Sequence, residues 1–241
     1  MALSDPKYQT GDPAAPETVP DDAIVSPDTR RENRVPAGQS RTRKWPVLQY
    51  GRIPQIATAC WSLTIGGLVE RRLSFNWRQF QELPRAKVFS DFHCVTRWSR
   101  LGNLWEGVST GEIIERAGVQ PDVKYVIATG GDDGWTTNMP FEEFATEDAL
   151  LCDSHDGEPL SADHGGPVRL VVPRLYAWKS AKWLVRLDFV SRDQPGLWER
   201  MGYHNHGDPW VQDANHPDGE RFQNPSSPPP GSNDEPLPSD F

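Results

Sequence analysis

Between Trp45 and Trp210 apolar residues recur in short, patterned stretches, and outside that interval they do not. Trp61-Ser62-Leu63-Thr64-Ile65 alternates with the period of two that sends successive side chains to opposite faces of a strand, and Gly66-Gly67 predicts a turn behind it. Residues 88–95, 125–128, 168–172 and 184–190 are further apolar or alternating runs of strand type. Two stretches follow the helical period instead. Residues 75–83 predict a short helix closed by Pro84, and residues 110–117 place Ile113, Ile114 and Ala117 on one face, with Gly118 as a stop. Short strands, occasional helices, frequent turns and no internal repeat predict a β-rich α+β fold.

Composition sharpens the boundaries. A chain of 241 residues with 36% hydrophobic residues and a mean hydropathy of -0.65 suits one α+β domain or two small ones, provided the polar excess lies outside the core. All ten tryptophans fall in the patterned interval. Residues 1–44 carry six prolines and the single aromatic Tyr8, which predicts a disordered polar arm. Residues 223–241 carry six more prolines, including the run 228–230, with three acids and no base, which predicts a disordered acidic tail. The folded body is then expected over residues 45–222 as a single domain.

Several function classes fall away. No apolar run approaches the roughly 18–20 residues of a membrane span, and residues 1–44 hold no apolar core of a secretory signal, so Arg30-Arg31 does not read as an export signal. Cys60, Cys94 and Cys152 are too few for a disulfide scaffold, which points to a reducing, cytoplasmic setting. A net charge of -9 argues against nucleic acid as a partner.

Three segments could carry chemistry. In Phe92-His93-Cys94-Val95-Thr96-Arg97-Trp98 a cysteine lies beside a histidine and three residues before Arg97, a setting that could favour a thiolate; a cysteine ending a strand is equally a small buried hydrophobe. His93 and Cys94 point to opposite faces if the strand is regular, which counts against a Cys–His nucleophilic pair. From His164 to Leu187 there are five bases and no acid, interleaved with glycine, serine and aromatics, as suits a phosphate clamp or, more blandly, a solvated face. Cys152, His155, His204 and His206 supply enough ligands for zinc, but no second tight cysteine pair supports it.

Taken in order, several motifs give the chain a resemblance. Trp61-Ser62-Leu63-Thr64-Ile65-Gly66-Gly67, His93-Cys94-Val95-Thr96-Arg97-Trp98, Trp105-Glu106-Gly107-Val108, Asp163-His164-Gly165-Gly166-Pro167-Val168-Arg169 and Tyr176-Ala177-Trp178-Lys179-Ser180-Ala181-Lys182-Trp183 resemble the sulfite oxidase superfamily. The likeness spans about residues 45–210 and is greatest to its soluble sulfite oxidase-like oxidoreductases, with a more distant likeness to the protein-methionine-sulfoxide reductase catalytic subunit. It implies a mixed, β-rich molybdopterin-binding domain with one Mo-pyranopterin dithiolene, no haem, a small-molecule substrate and a separate electron donor or acceptor.

Carried over position by position, the resemblance makes Cys94 the molybdenum ligand and catalytic centre. It makes His164 and Arg169 cofactor-binding, with Ser180, Ala181 and Lys182 as the phosphate-holding loop. Gln49 and Tyr50 match the N-terminal cofactor contacts, and His93 and Thr129 fall near others. The metal would carry two-electron oxygen-atom transfer, to or from sulfite or a sulfoxide-like oxo-donor. The arginine that receives sulfite in sulfite oxidases has no counterpart near residues 47–49, although Arg52 or Arg43 could substitute. The rival expectations are a non-catalytic scaffold that keeps the fold and a zinc-binding hydrolase.

Overall fold

The computed structural model describes residues 19–131 and 134–224. In chain order the strands are β1 (Ala23–Val25), β2 (Ser40–Thr42), β3 (Ser62–Gly67), β4 (Leu73–Asn76), β5 (Ala86–Cys94) and β6 (Trp98–Ser109), then β7 (Tyr125–Gly130), β8 (Thr136–Pro140), β9 (Leu150–His155), β10 (Glu158–Pro159), β11 (Arg169–Val171) and β12 (Leu184–Val190). The helices are α1 (Trp77–Gln81), α2 (Thr110–Ala117), α3 (Phe141–Phe144) and α4 (Leu197–Arg200). One sheet runs β1-β5-β6-β9-β10, with β2 joining β6 and β11 joining β9; the other runs β4-β3-β12-β7-β8. Both are mixed, because β1, β2 and β12 pair parallel to β5, β6 and β3 while the remaining pairs are antiparallel. The β-rich α+β fold expected from periodicity is the fold observed.

Local details follow side-chain chemistry. The helix expected over residues 75–83 is shorter, because Asn76 caps it: its side chain accepts the Gln79 N–H at 3.0 Å and the Gln79 side chain accepts the Asn76 N–H at 2.9 Å. That reciprocal box leaves Phe75 in β4. Helix α2 keeps its expected bounds, with Ser109 as cap and Gly118 closing it at φ 63°. Strand β6 has no alternation to announce it, since Arg100, Gly102, Asn103 and Gly107 interrupt its apolar positions. Gly107 is required there: a Cβ would lie 2.0 Å from the Leu151 carbonyl oxygen on β9.

The boundary expected between residues 44 and 45 differs from the structure. Residues 23–25 and 40–42 are strands of the first sheet, and Ser26, Asp28, Thr29 and Arg34 are buried. Composition misleads here because the segment docks through backbone pairing and polar contacts instead of an apolar stripe. Arg34 grips Asp91 of β5 with both arms, Nε to Oδ2 at 2.7 Å and Nη2 to Oδ1 at 2.5 Å. The Ser26 hydroxyl donates to Asp148 at 2.7 Å. The arm expected before residue 19 and the tail expected after residue 224 lie outside the described residues.

Two adjoining cores fill the interior. The larger, around Trp61, Leu63, Ile113, Leu151 and Phe189, packs the second sheet and α2 onto the inner face of the first. The smaller gathers aromatics around the end of β5: Phe92, Trp98, Trp105, Tyr176, Trp178 and Tyr203. The turn from Cys94 to Trp98 sits on this aromatic core, and the cavity described next opens beside it.

Candidate active site

The cavity has a volume of about 440 Å³, within the range that takes a small organic cofactor. Cys94 lies in its wall at the last position of β5, 8% exposed. The alternation of the strand sends the neighbouring His93 the other way, into a dry niche where Nδ1 meets the Ser99 hydroxyl at 2.9 Å. Burial lowers the His93 pKa to about 3, so the ring is neutral. His93 is thus not a wall of the cavity, contrary to its expected cofactor contact.

Burial also pushes the Cys94 thiol above its ordinary value. The Thr96 hydroxyl, 3.2 Å from the sulfur, opposes that shift, as do the charges of Lys182 and Arg221. Arg97, expected to favour the thiolate, makes its described contacts elsewhere than at the sulfur. Its guanidinium turns to the Gly38 carbonyl at 3.3 Å and the Asp218 carboxylate at 2.9 Å.

The same cavity is lined by a buried cation, Arg169. Arg169 is 2% exposed and donates only to the carbonyls of Leu170, His164 and Ser180, at 3.4, 2.9 and 3.0 Å; no carboxylate among the described residues pairs with it. The rings of Trp45, Phe92 and Trp105 surround it at 5.5, 5.2 and 5.9 Å. Burial lowers its pKa from 12.5 to about 10, which leaves it charged at neutral pH. A buried cation held by neutral acceptors against a cavity is arranged for an anion.

Lys182 brings a second positive charge. Its ammonium donates to the Leu48 carbonyl at 3.0 Å and the Asp163 carbonyl at 2.7 Å, tying the segment 45–50 to the loop before β11. Gly165 permits this approach, because a Cβ there would fall 2.8 Å from the Lys182 Cβ. Gln49, Tyr50 and Ser180 complete the group of expected residues that reach the cavity. His164 and Ala181 stand behind the wall: the His164 ring lies 3.8 Å from that of Trp45, and Ala181 is fully buried. Thr129 lies in β7, paired with Arg186 and Thr136, and does not reach the cavity.

Sequence reasoning missed the aromatic side of the site. Trp135, Trp178, Trp198 and Tyr203 line it, and Met201 stands at its mouth, 37% exposed. The concentration of tryptophan after residue 45 was the available signal; Trp178 falls in the motif from Tyr176 to Trp183, but no spacing singles out Trp135 or Trp198. Cys152 and His155, counted for zinc, lie on β9, and His204 and His206 pair with Glu143 and Glu220 instead. No group of three His, Cys, Asp or Glu among the described residues is arranged to hold a metal, so the four residues counted for zinc are not brought together as one site.

The donor set fits a molybdenum–pterin group. One soft sulfur donor shares the cavity with buried and half-buried cations, and the buried Trp98 Nε1, whose indole lines the wall, has no hydrogen-bond partner among the described residues. Among the described residues no aspartate or glutamate lines the cavity to repel an anionic ligand.

Comparisons with known proteins agree. The oxidoreductase molybdopterin binding domain family matches residues 50–198. The oxidoreductase YuiH of Bacillus subtilis (strain 168) is 45% identical over 181 residues, covering 75% of this chain and 91% of that protein. YedZ1 of Azospira oryzae, provisionally described as a protein-methionine-sulfoxide reductase subunit, is 29% identical over 67% of this chain and 62% of its own length. The sulfane dehydrogenase SoxCD of Paracoccus pantotrophus shares the fold, with a TM-score of 0.56 at 24% identity over 62% of this chain and 42% of that one. The chain therefore belongs to the molybdopterin-binding oxidoreductases of the sulfite oxidase superfamily.

Proposed function

We propose that this protein is a cytoplasmic molybdenum enzyme that moves an oxygen atom to or from a small, uncharged oxo-donor such as a sulfoxide, with Cys94 as the protein ligand of the metal. The observation that carries the reading is that one cavity is lined both by Cys94 and by the buried cation of Arg169, which pairs with no carboxylate among the described residues. The bound group supplies two-electron oxygen-atom transfer at molybdenum.

The chain's own residues perform the rest. Cys94 gives up its proton on ligation, and the Thr96 hydroxyl then donates to the thiolate that remains. Arg169, Ser180 and Lys182 would hold the anionic end of the pterin, and Gln49 and Tyr50 would add contacts from the segment 45–50. Trp178, Trp183 and Trp198 exclude water. Burial raises the pKa of Tyr203, so its phenol stays protonated, and it donates to none of the described residues. It stands available to donate a hydrogen bond into the cavity.

The substrate class follows from charge. Both cations that line the cavity are assigned to the cofactor in this reading, and neither Arg52 nor Arg43 is in its wall. The large apolar side chains exposed among the described residues are Val47, Leu48, Tyr50 and Met201, and all but Val47 line this cavity. Such a mouth desolvates a neutral molecule cheaply and a dianion at high cost. The three cysteines form no disulfide, which supports the cytoplasmic location, and the electron partner is a separate donor or acceptor. Steady-state assays in both directions test the reading. Turnover of a neutral sulfoxide or N-oxide with a dye-reduced enzyme, and sulfite oxidation only at high KM, are expected; efficient sulfite oxidation at micromolar KM would overturn the substrate assignment.

A further inference from the structure

The turn that presents Cys94 is held by two segments distant from it in sequence. Its Cys94 carbonyl receives the Arg97 N–H at 3.1 Å and the Gln39 side-chain amide at 3.2 Å. The Val95 carbonyl receives Nε and Nη2 of Arg221 at 3.0 and 2.9 Å, and the Arg97 carbonyl receives the Ser40 N–H at 2.9 Å. Arg97 itself has φ 69°, a left-handed conformation that a side chain adopts only where its surroundings impose it.

One relay fixes the Gln39 amide. The Ser99 hydroxyl donates to Gln39 Oε1 at 2.6 Å, so its oxygen must accept from His93 Nδ1 at 2.9 Å. The opposite orientation would turn the Gln39 oxygen toward the Cys94 carbonyl, acceptor against acceptor. His93 is consequently the Nδ1–H tautomer, and its Nε2, buried with no hydrogen-bond partner among the described residues, is the bare nitrogen. The buried Arg34–Asp91 pair anchors the chain five residues before Gln39 on the same strand that ends in Cys94.

We infer that Gln39 is a positioning residue for the Cys94 sulfur, locked by the His93–Ser99 relay, and that residues 34–40 belong to the redox site. The inference rests on Cys94 being the metal ligand for its functional meaning, but the brace can be tested without the metal. Gln39→Glu keeps the shape and removes the donor to the Cys94 carbonyl, whereas Gln39→Leu removes the relay contact as well.

The test uses cofactor-free full-length protein in a Cys60→Ser, Cys152→Ser background and measures alkylation of Cys94 by iodoacetamide, with urea unfolding alongside. Loss of one hydrogen bond that gates the turn should raise the alkylation rate about three- to tenfold in both variants, at an unfolding free energy close to that of the parent. An unchanged rate in both variants overturns the inference, and so does acceleration that merely tracks a fall in global stability. In the cofactor-loaded protein the same variants should broaden the electron paramagnetic resonance line of molybdenum. Faster alkylation with no sulfur lost from molybdenum in Cys94→Ser would sustain the brace while refuting Cys94 as ligand, so the two failures are distinguishable.

Discussion

Arg34→Met removes the guanidinium from a carboxylate that has almost nowhere else to turn. The two side chains are 1% and 0% exposed, and Asp91 retains only the Gly102 N–H, at 2.9 Å, among its described hydrogen bonds once Arg34 is gone. Breaking one side of a buried pair costs about 3–5 kcal/mol, because the surviving charge stays buried. At about 2–4 °C of Tm per kcal/mol for a domain of this size, the melting temperature should fall by about 6–20 °C. Urea unfolding followed by tryptophan fluorescence measures the loss directly. Arg34→Met combined with Asp91→Asn should recover part of it, since no charge is then stranded while the Gly102 N–H keeps an acceptor. A residue of a solvated arm would change stability by no more than about 0.5 kcal/mol. If Arg34→Met loses less than about 1 kcal/mol, the integration of residues 19–44 into the domain is refuted.

Arg169→Ala and Lys182→Ala should each yield folded protein with less bound molybdenum and pterin, measured by metal analysis and pterin fluorescence, and the Arg169 change should be the larger because its site is dry; full occupancy in both would contradict the anion-holding role. His206, with Glu220 2.9 Å from Nδ1 and Glu143 3.1 Å from Nε2, has its pKa raised from 6.5 to about 10. A raised folded-state pKa means a stabilising contribution that is full below the unfolded value and lost as pH rises through about 10. The stability gap between the parent and His206→Gln, from urea titrations, should therefore be full at about pH 6 and close in strongly alkaline buffer; a gap that widens with pH would refute the pairing.

Much of the fold could be read from periodicity, because β3, β5, β7 and β12 and helix α2 keep their apolar residues on regular faces. Strand β6 escaped that reading, since its burial is shared with polar contacts such as Asn103 to the Ser90 carbonyl at 3.1 Å. The N-terminal segment escaped it for the same physical reason. Its attachment is an ion pair and strand pairing, neither of which leaves an apolar period in the sequence. In the site, the motif positions Cys94, Arg169, Ser180 and Lys182 converge on one cavity, as do Gln49 and Tyr50. His93, His164, Ala181 and Thr129 stand in the layer behind or farther away, because proximity along a motif does not say which way a side chain turns. Gln39 and Arg221 could not have been found in sequence, for each acts on a turn more than fifty residues distant.

The central claim is the bond between Cys94 and molybdenum. X-ray absorption at the molybdenum edge, on protein purified from a molybdenum-competent host, tests it most directly. The account predicts near-stoichiometric metal, with one sulfur fewer around it in Cys94→Ser and an unchanged shell in Cys60→Ser and Cys152→Ser. Metal absent from the parent protein, or an identical sulfur shell in Cys94→Ser, would contradict it.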